Sequence, residues 1–173
     1  MNRRGLFEIA LALSLVMAVS QTSAAKTIKT TLKDAQGKQV GWATIKSAAT
    51  GVEIKLSVKD LPPGDHAIHI HRDAKCDAPD FKSAGPHFNP DGKQHGRENP
   101  DGHHAGDMSN FTVGPNRKAD VNILNKDVNL GSDSHSLFSN GGTALVVHAK
   151  PDDMKTDPAG NAGDRIACGV IKE

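Results

Sequence analysis

Residues 27–59 read TIKTTLKDAQGKQVGWATIKSAATGVEIKLSVK. Three runs within them, Thr27 to Leu32, Val40 to Ile45 and Val52 to Val58, alternate apolar with polar side chains. A period of two marks a strand with one buried face. The runs are separated by Asp34-Ala35-Gln36-Gly37 and Ala48-Ala49-Thr50-Gly51, short connections of the kind that turn one antiparallel strand into the next. Later runs at Ala67 to His71, Phe111 to Val113, Ala119 to Leu124, Thr143 to His148 and Ile166 to Ile171 extend the pattern. No stretch of ten residues beyond the first 25 sustains helical periodicity. The expectation is an all-β fold, a sandwich or barrel of about eight antiparallel strands.

Upstream of these strands, Asn2, Arg3 and Arg4 make a positive start, Leu11 to Val19 an apolar centre and Thr22-Ser23-Ala24-Ala25 a small-residue exit. That order describes a secretory signal peptide over residues 1–25, with cleavage after Ala24 or Ala25. The apolar stretch is too short for a stable membrane span, and no cysteine follows it to carry a lipid. Residues 26–173 then form one domain, about 150 residues being enough for a sizeable core. Loss of Arg3, Arg4 and Glu8 takes the net charge from +1 to about zero, which argues against nucleic acid as a partner. Export also places Cys76 and Cys168, the two cysteines of the chain, where a disulfide persists, so their pairing is the default expectation.

The segment from Arg72 to Asn110 breaks the pattern, being rich in Gly, Pro, Asn, Asp and His. A loop this long is usually functional or disordered. This one carries Cys76 and several histidines that can order it through metal. In HAIHIH, His69 and His71 are two apart and share a strand face, while Ile68 and Ile70 take the core face. By the same parity His66 falls with the isoleucines and is expected to be buried and hydrogen-bonded. In TALVVHA, Leu145 and Val147 face the core, which leaves His148 free to join His69 and His71. His87 and His95 follow in GPHFNPDGKQHG, and His104 stands three before Asp107 with Gly106 permitting a tight turn between them. His103 then points elsewhere, and His135 in GSDSHS reads as an exposed loop residue. Six imidazoles and one carboxylate exceed a single four-coordinate site and suit two.

The motifs HIH, GPHFNPDGKQHG, HHAGDMSN, GGTALVVHAKPDD and GNAGDRIACGVI together resemble the copper/zinc superoxide dismutase family in its secreted bacterial form, over essentially the whole of residues 26–173. The resemblance implies a Greek-key β-sandwich or flattened barrel with long metal-binding and electrostatic loops. It implies one copper and one zinc ion per subunit. Copper would be held by His69, His71, His87 and His148, and zinc by His87, His95, His104 and Asp107, with His87 bridging. All-imidazole ligation suits copper(II), and imidazole with a carboxylate suits zinc. Asp152 matches the outer carboxylate that links a copper histidine to a zinc histidine. Arg165, three residues before Cys168, matches the arginine beside the copper opening, where a permanent cation with several donors would hold superoxide. His87 and Arg165 are thus the catalytic residues the resemblance implies.

The implied reaction turns two superoxide ions into dioxygen and hydrogen peroxide as copper alternates between its two oxidation states. Three departures limit the match. Ala67 and Ile68 stand where many relatives have Gly and Phe. The loop from Cys76 to His87 is longer than in eukaryotic relatives, and the segment between His148 and Arg165 is shorter. Lys75, Lys82, Lys93 and Lys155 are therefore the candidates for steering superoxide, each weighed against an ordinary solvated lysine. The competing reading is a module that sequesters or delivers copper and zinc without turnover; a copper-only enzyme is disfavoured by the presence of His95, His104 and Asp107. The expected setting is the periplasm, with superoxide as partner and no membrane contact after signal removal. Trp42 and scattered surface apolar residues leave both a monomer and a homodimer open.

Overall fold

The three runs of residues 27–59 are strands, β1 (Thr27–Lys33), β2 (Gln39–Ser47) and β3 (Val52–Lys59), in a computed structural model that describes residues 26–173. The expected signal peptide lies outside those residues. Gly37 and Gly51 close the two turns with positive φ. Across the meander the register aligns Thr31 with Trp42 and Trp42 with Ser57, so alternate residues keep one face throughout. Leu32, Ala43, Ile45, Ile54 and Leu56 lie on the inner face and are fully buried. Each of the leucines and isoleucines among them contributes about 1.5–3 kcal/mol of burial free energy.

Six further strands follow: β4 (Gly64–His66), β5 (Ile68–His71), β6 (Phe111–Val113), β7 (Lys118–Asn125), β8 (Thr143–His148) and β9 (Arg165–Ile171). Seven of the nine form one curled antiparallel sheet in the order β5-β8-β9-β1-β2-β3-β7, and β4 pairs with β6 in a small ribbon. The extra strand arises at Ala67. There the chain leaves β6, to which His66 is paired, and joins β8, to which Ile68 is paired. Ala67 itself donates to Lys150 O and accepts from His148 N, so β4 and β5 are separate strands and not one run. The residues Gly64-Asp65-His66 have no apolar alternation, which hides β4 from a reading of the pattern.

The long segment after β5 is ordered by its neighbours. Phe88 N donates to Ile70 O and Ile70 N donates to Gly106 O, so β5 carries loop backbone on the side away from β8. All six residues of β8 are buried because both of its faces are covered. Leu145 and Val147 enter the main core, while Ala144 and Val146 pack with Phe81, Ala84 and Cys168 in a second, smaller one. The Cys76–Cys168 disulfide closes that second core, with Cα atoms 5.7 Å apart. It ties the start of the long loop to β9 three residues beyond Arg165. No helix among the described residues is long and apolar enough to cross a membrane.

Candidate metal centre

β5 and β8 lie side by side, with His69 opposite Val146 and His71 opposite Ala144. Ile68 and Ile70 occupy the core as parity requires, and His69 and His71 take the other face, fully buried beneath the loop. His148 ends β8 opposite Arg165 on β9. Isolated bridges bring His87 beside His71 and Asp107 beside His69. One short length of β5 thus gathers ligands from β8 and from two distant points of the loop.

The result is two groups of potential ligand atoms, each group lying within 4.8 Å of one another: His69, His71, His87 and His148 in the first, His87, His95, His104 and Asp107 in the second. The hydrogen bonds settle which nitrogen of most rings is spoken for. His71 Nδ1 donates to Gly85 O at 2.8 Å and His148 Nδ1 to Gly163 O at 3.3 Å. Their Nε2 atoms then carry lone pairs that face each other 3.3 Å apart, a contact between two acceptors that a cation resolves. His69 Nε2 donates to Asp152 Oδ2 at 2.7 Å, which leaves Nδ1 directed inward. His95 Nε2 donates to Asp152 Oδ1 at 3.0 Å and likewise leaves Nδ1.

His87 belongs to both groups. Its Nδ1 lies 2.9 Å from Asp107 Oδ1 and 3.4 Å from His104 Nδ1, in the second group. Its Nε2, on the other side of the ring, is left bare. His69 Nδ1, His87 Nε2 and His95 Nδ1 are buried side-chain atoms with no hydrogen-bond partner. The His95 atom approaches Asp107 Oδ1 to 3.1 Å without hydrogen-bond alignment. Burying such an atom unpaired is costly, and nitrogens left bare at the centre of a ligand set are what metal coordination satisfies. The donor chemistry fits two metal ions.

Burial and the neighbouring carboxylates act differently on different rings. Burial pushes His87 down to about 4 and His148 down to about 3, and it holds His71 well below the usual imidazole range. These rings stay neutral, as a ligand must. Burial opposes charge on His95 too, yet its contacts with Asp107 and Asp152 raise it to about 9. Asp107 and Asp152 are also buried, which disfavours their charge, but imidazole and backbone donors hold both well below the usual carboxylate range.

Three supports of this arrangement escape a reading of the sequence. Asn110 exchanges two hydrogen bonds with the Asp152 backbone, at 2.8 and 2.9 Å, and so fixes where the carboxylate starts. Gly160 packs so closely that a Cβ there would stand 1.8 Å from Asp152 Oδ1 and 2.8 Å from His95 Nε2. Asp157 Oδ1 accepts the His95 backbone N–H at 2.7 Å. Gly106 has the importance expected of it for a different reason: a Cβ would meet Ile70 O at 2.2 Å, so close approach to β5 is what demands glycine.

His66 is buried and hydrogen-bonded as expected, from Nδ1 to His148 O and from Nε2 to Pro62 O, both at 2.8 Å. Because the chain changes sheets at Ala67, these bonds and not unbroken parity explain it. His103 turns away to Asp127 at 3.0 Å. His135 is half-buried where an exposed loop residue was expected, since it bridges Asp127 O at 2.6 Å and Asp91 in the long loop at 3.1 Å.

A cleft of about 750 Å³ opens onto the first group and is lined by His71, His87, His148 and Arg165. Arg165 is half-buried, donating to Phe81 O at 2.8 Å and to Gly85 O at 2.7 Å. Of the candidate steering lysines, Lys82 and Lys93 line the cleft, joined by Arg72; Lys75 and Lys155 do not. Asp157, Pro158 and Ala159, in the segment after His148, form another wall of the cleft.

Residues 39–171 match the family described as copper/zinc superoxide dismutase (SODC). A protein of Aquifex aeolicus named superoxide dismutase [Cu-Zn] 1 is 52% identical over 139 residues, covering 79% of this chain and 82% of that one. The superoxide dismutase [Cu-Zn] of Caulobacter vibrioides is 42% identical over 144 residues, covering 82% and 83%. Among solved structures, a superoxide dismutase-like protein from Bacillus subtilis superposes with a TM-score of 0.81 at 40% identity, covering 86% of this chain and 99% of that one.

Proposed function

Since the chain belongs to the copper/zinc superoxide dismutase family, we propose that its two ligand groups are the copper and zinc sites of a superoxide dismutase, joined by His87. The protein is an oxidoreductase that converts two superoxide ions and two protons into dioxygen and hydrogen peroxide, and it binds copper and zinc. The observation that carries the site assignment is His87, which belongs to both groups, with Nδ1 beside Asp107 and His104 and Nε2 left bare.

In this reading His69, His71, His87 and His148 would hold copper. His87, His95, His104 and Asp107 would hold zinc. Copper supplies the one-electron couple at the all-imidazole site, while zinc, without redox chemistry, anchors His87 and the loop. Arg165 draws the anion into the cleft and orients it with donors fixed by Phe81 O and Gly85 O. His87 would hold a proton at Nε2 in one half of the cycle and give it up in the other, since its two ring nitrogens face different partners. Asp152 keeps the His69 and His95 rings oriented, since it accepts from both.

We further propose that residues 1–25 are a signal peptide cleaved after Ala24 or Ala25, and that residues 26–173 act as one domain in the periplasm. The apolar centre from Leu11 to Val19 and the Cys76–Cys168 disulfide support export. Metal analysis paired with a superoxide assay tests the functional reading. One copper and one zinc bound with rapid turnover is the expected result. Both metals bound without turnover would favour a sequestration module.

A further inference from the structure

The outer face of β1, β2 and β3 carries the sole tryptophan of the chain. Trp42 is 42% exposed, and among the described residues only Leu124 is comparable as a large exposed apolar side chain. Beside it the register lines up one cross-sheet row, Lys29, Thr44, Lys55 and Asn122, with Lys46 two residues along β2. These side chains and Trp42 border an open groove of about 860 Å³ that shares no lining residue with the metal cleft. Lys29, Lys46 and Lys55 make no ion pair among the described residues, although Glu53 is opposite Lys46 in the register. Three unpaired cations around one aromatic ring, in a chain of net charge +1, are a local feature and not a general basic field.

We propose that this groove binds an anionic polysaccharide of the polyuronate class. The Trp42 indole packs on the C–H face of a sugar ring, Lys29, Lys46 and Lys55 take carboxylates, and Thr44 and Asn122 bond hydroxyls. Lys29 and Lys55 are two strands apart, about 10 Å at the usual sheet spacing, which is roughly the length of two sugar units and so matches every second carboxylate of a polymer that carries one on each sugar. A single nucleic acid strand calls for successive aromatic platforms and a continuous positive track, where this face has one ring and the Glu53 carboxylate at its edge. A bilayer calls for a broad apolar face. A second copy of the same face would set lysines against lysines. The groove would thus hold the enzyme on a charged polymer while leaving the metal cleft open.

With one tryptophan and no tyrosine, intrinsic emission reports on this groove directly. The test is a titration of the metal-loaded protein with polygalacturonate, using dextran, oligothymidylate and anionic phospholipid vesicles as comparisons. A saturable change in Trp42 emission with polygalacturonate, absent with dextran and weakened by salt, is expected. The Lys29→Ala, Lys46→Ala, Lys55→Ala triple variant should bind about tenfold more weakly or worse while retaining superoxide turnover. Trp42→Phe, followed by co-sedimentation, should also lose affinity. Unchanged emission together with no co-sedimentation would overturn the proposal, as would undiminished binding by the triple variant. Binding to oligothymidylate or to vesicles in place of polygalacturonate would overturn it in favour of a nucleic acid or membrane surface.

Discussion

His71 and Arg165 donate to the same oxygen, the Gly85 carbonyl, at 2.8 and 2.7 Å. The ring that faces the first ligand group and the cation at the cleft mouth are therefore set by one backbone atom. Gly85 lies in the loop that the Cys76–Cys168 disulfide ties to β9. Arg165→Ala removes the cation and two charge-assisted hydrogen bonds without touching a ligand atom. It should lower kcat/KM by about tenfold or more while copper and zinc contents stay normal, with Arg165→Lys in between. Assays of turnover and metal content on the same preparation check this. Loss of metal in parallel with activity would assign Arg165 a structural role instead.

Asp152 joins the two groups from outside, one oxygen on His69 and the other on His95, and Gly160 closes over it. Gly160→Ala should weaken retention of both metals by tenfold or more, the scale at which outer partners of metal ligands act. In an Asp152→Ala background the tightest contact, at 1.8 Å, is gone and only the 2.8 Å approach to His95 Nε2 remains, so the same substitution should then add less. Metal affinities from chelator competition across the four proteins decide it. Full additivity would mean that Gly160 acts through its left-handed backbone, φ +59°, and not through the carboxylate.

The metal-free protein should lose stability as acid is added. His87 and His148, at about 4 and about 3, lie below the unfolded reference of 6.5. Between those values the unfolded chain takes up protons that the folded one refuses, so stability falls with falling pH, by about 1.4 kcal/mol for each unit of pKa difference. Asp107 and Asp152, both depressed, extend the loss below the ordinary carboxylate range. His95, raised to about 9, has the opposite sign: its contribution is complete below 6.5 and is lost as pH rises through 9. Urea midpoints of metal-free protein measured against pH should therefore peak near neutrality. A flat profile from pH 6.5 to 4 would contradict the burial argument.

Arg72 and Lys82 line the cleft but are paired with Asp73 and Asp80, each at 2.9 Å. Lys93 has no ion pair among the described residues, so it should contribute most to attracting superoxide. Turnover should fall as ionic strength rises, and Lys93→Ala should both slow it a few-fold and flatten the salt dependence. Lys75→Ala, outside the cleft, should do neither. Stopped-flow rates at several salt concentrations separate the two.

Much of this arrangement was legible in the sequence wherever side-chain pattern determines position. The alternation in residues 27–59 gave three strands to within a residue or two of their ends, and the two-residue spacing of His69 and His71 placed both rings on one face. What stayed hidden depends on backbone or on distant approach. The carbonyls of Gly85 and Gly163 that select the His71 and His148 nitrogens carry no side-chain signal. Gly160 matters only because the fold brings it against Asp152, and His135 is half-buried only because Asp91 and Asp127 meet it there. β4 forms from three residues whose sole strand signal is the partner they meet in β6.

The central claim is that one imidazole serves both metals. Copper and zinc contents of wild type, His87→Ala and His95→Ala, each measured after loading with both ions, test it most directly. The expected result is that His87→Ala weakens both sites and abolishes normal turnover, whereas His95→Ala loses mainly zinc. Full zinc occupancy with normal turnover in His87→Ala would contradict the bridge.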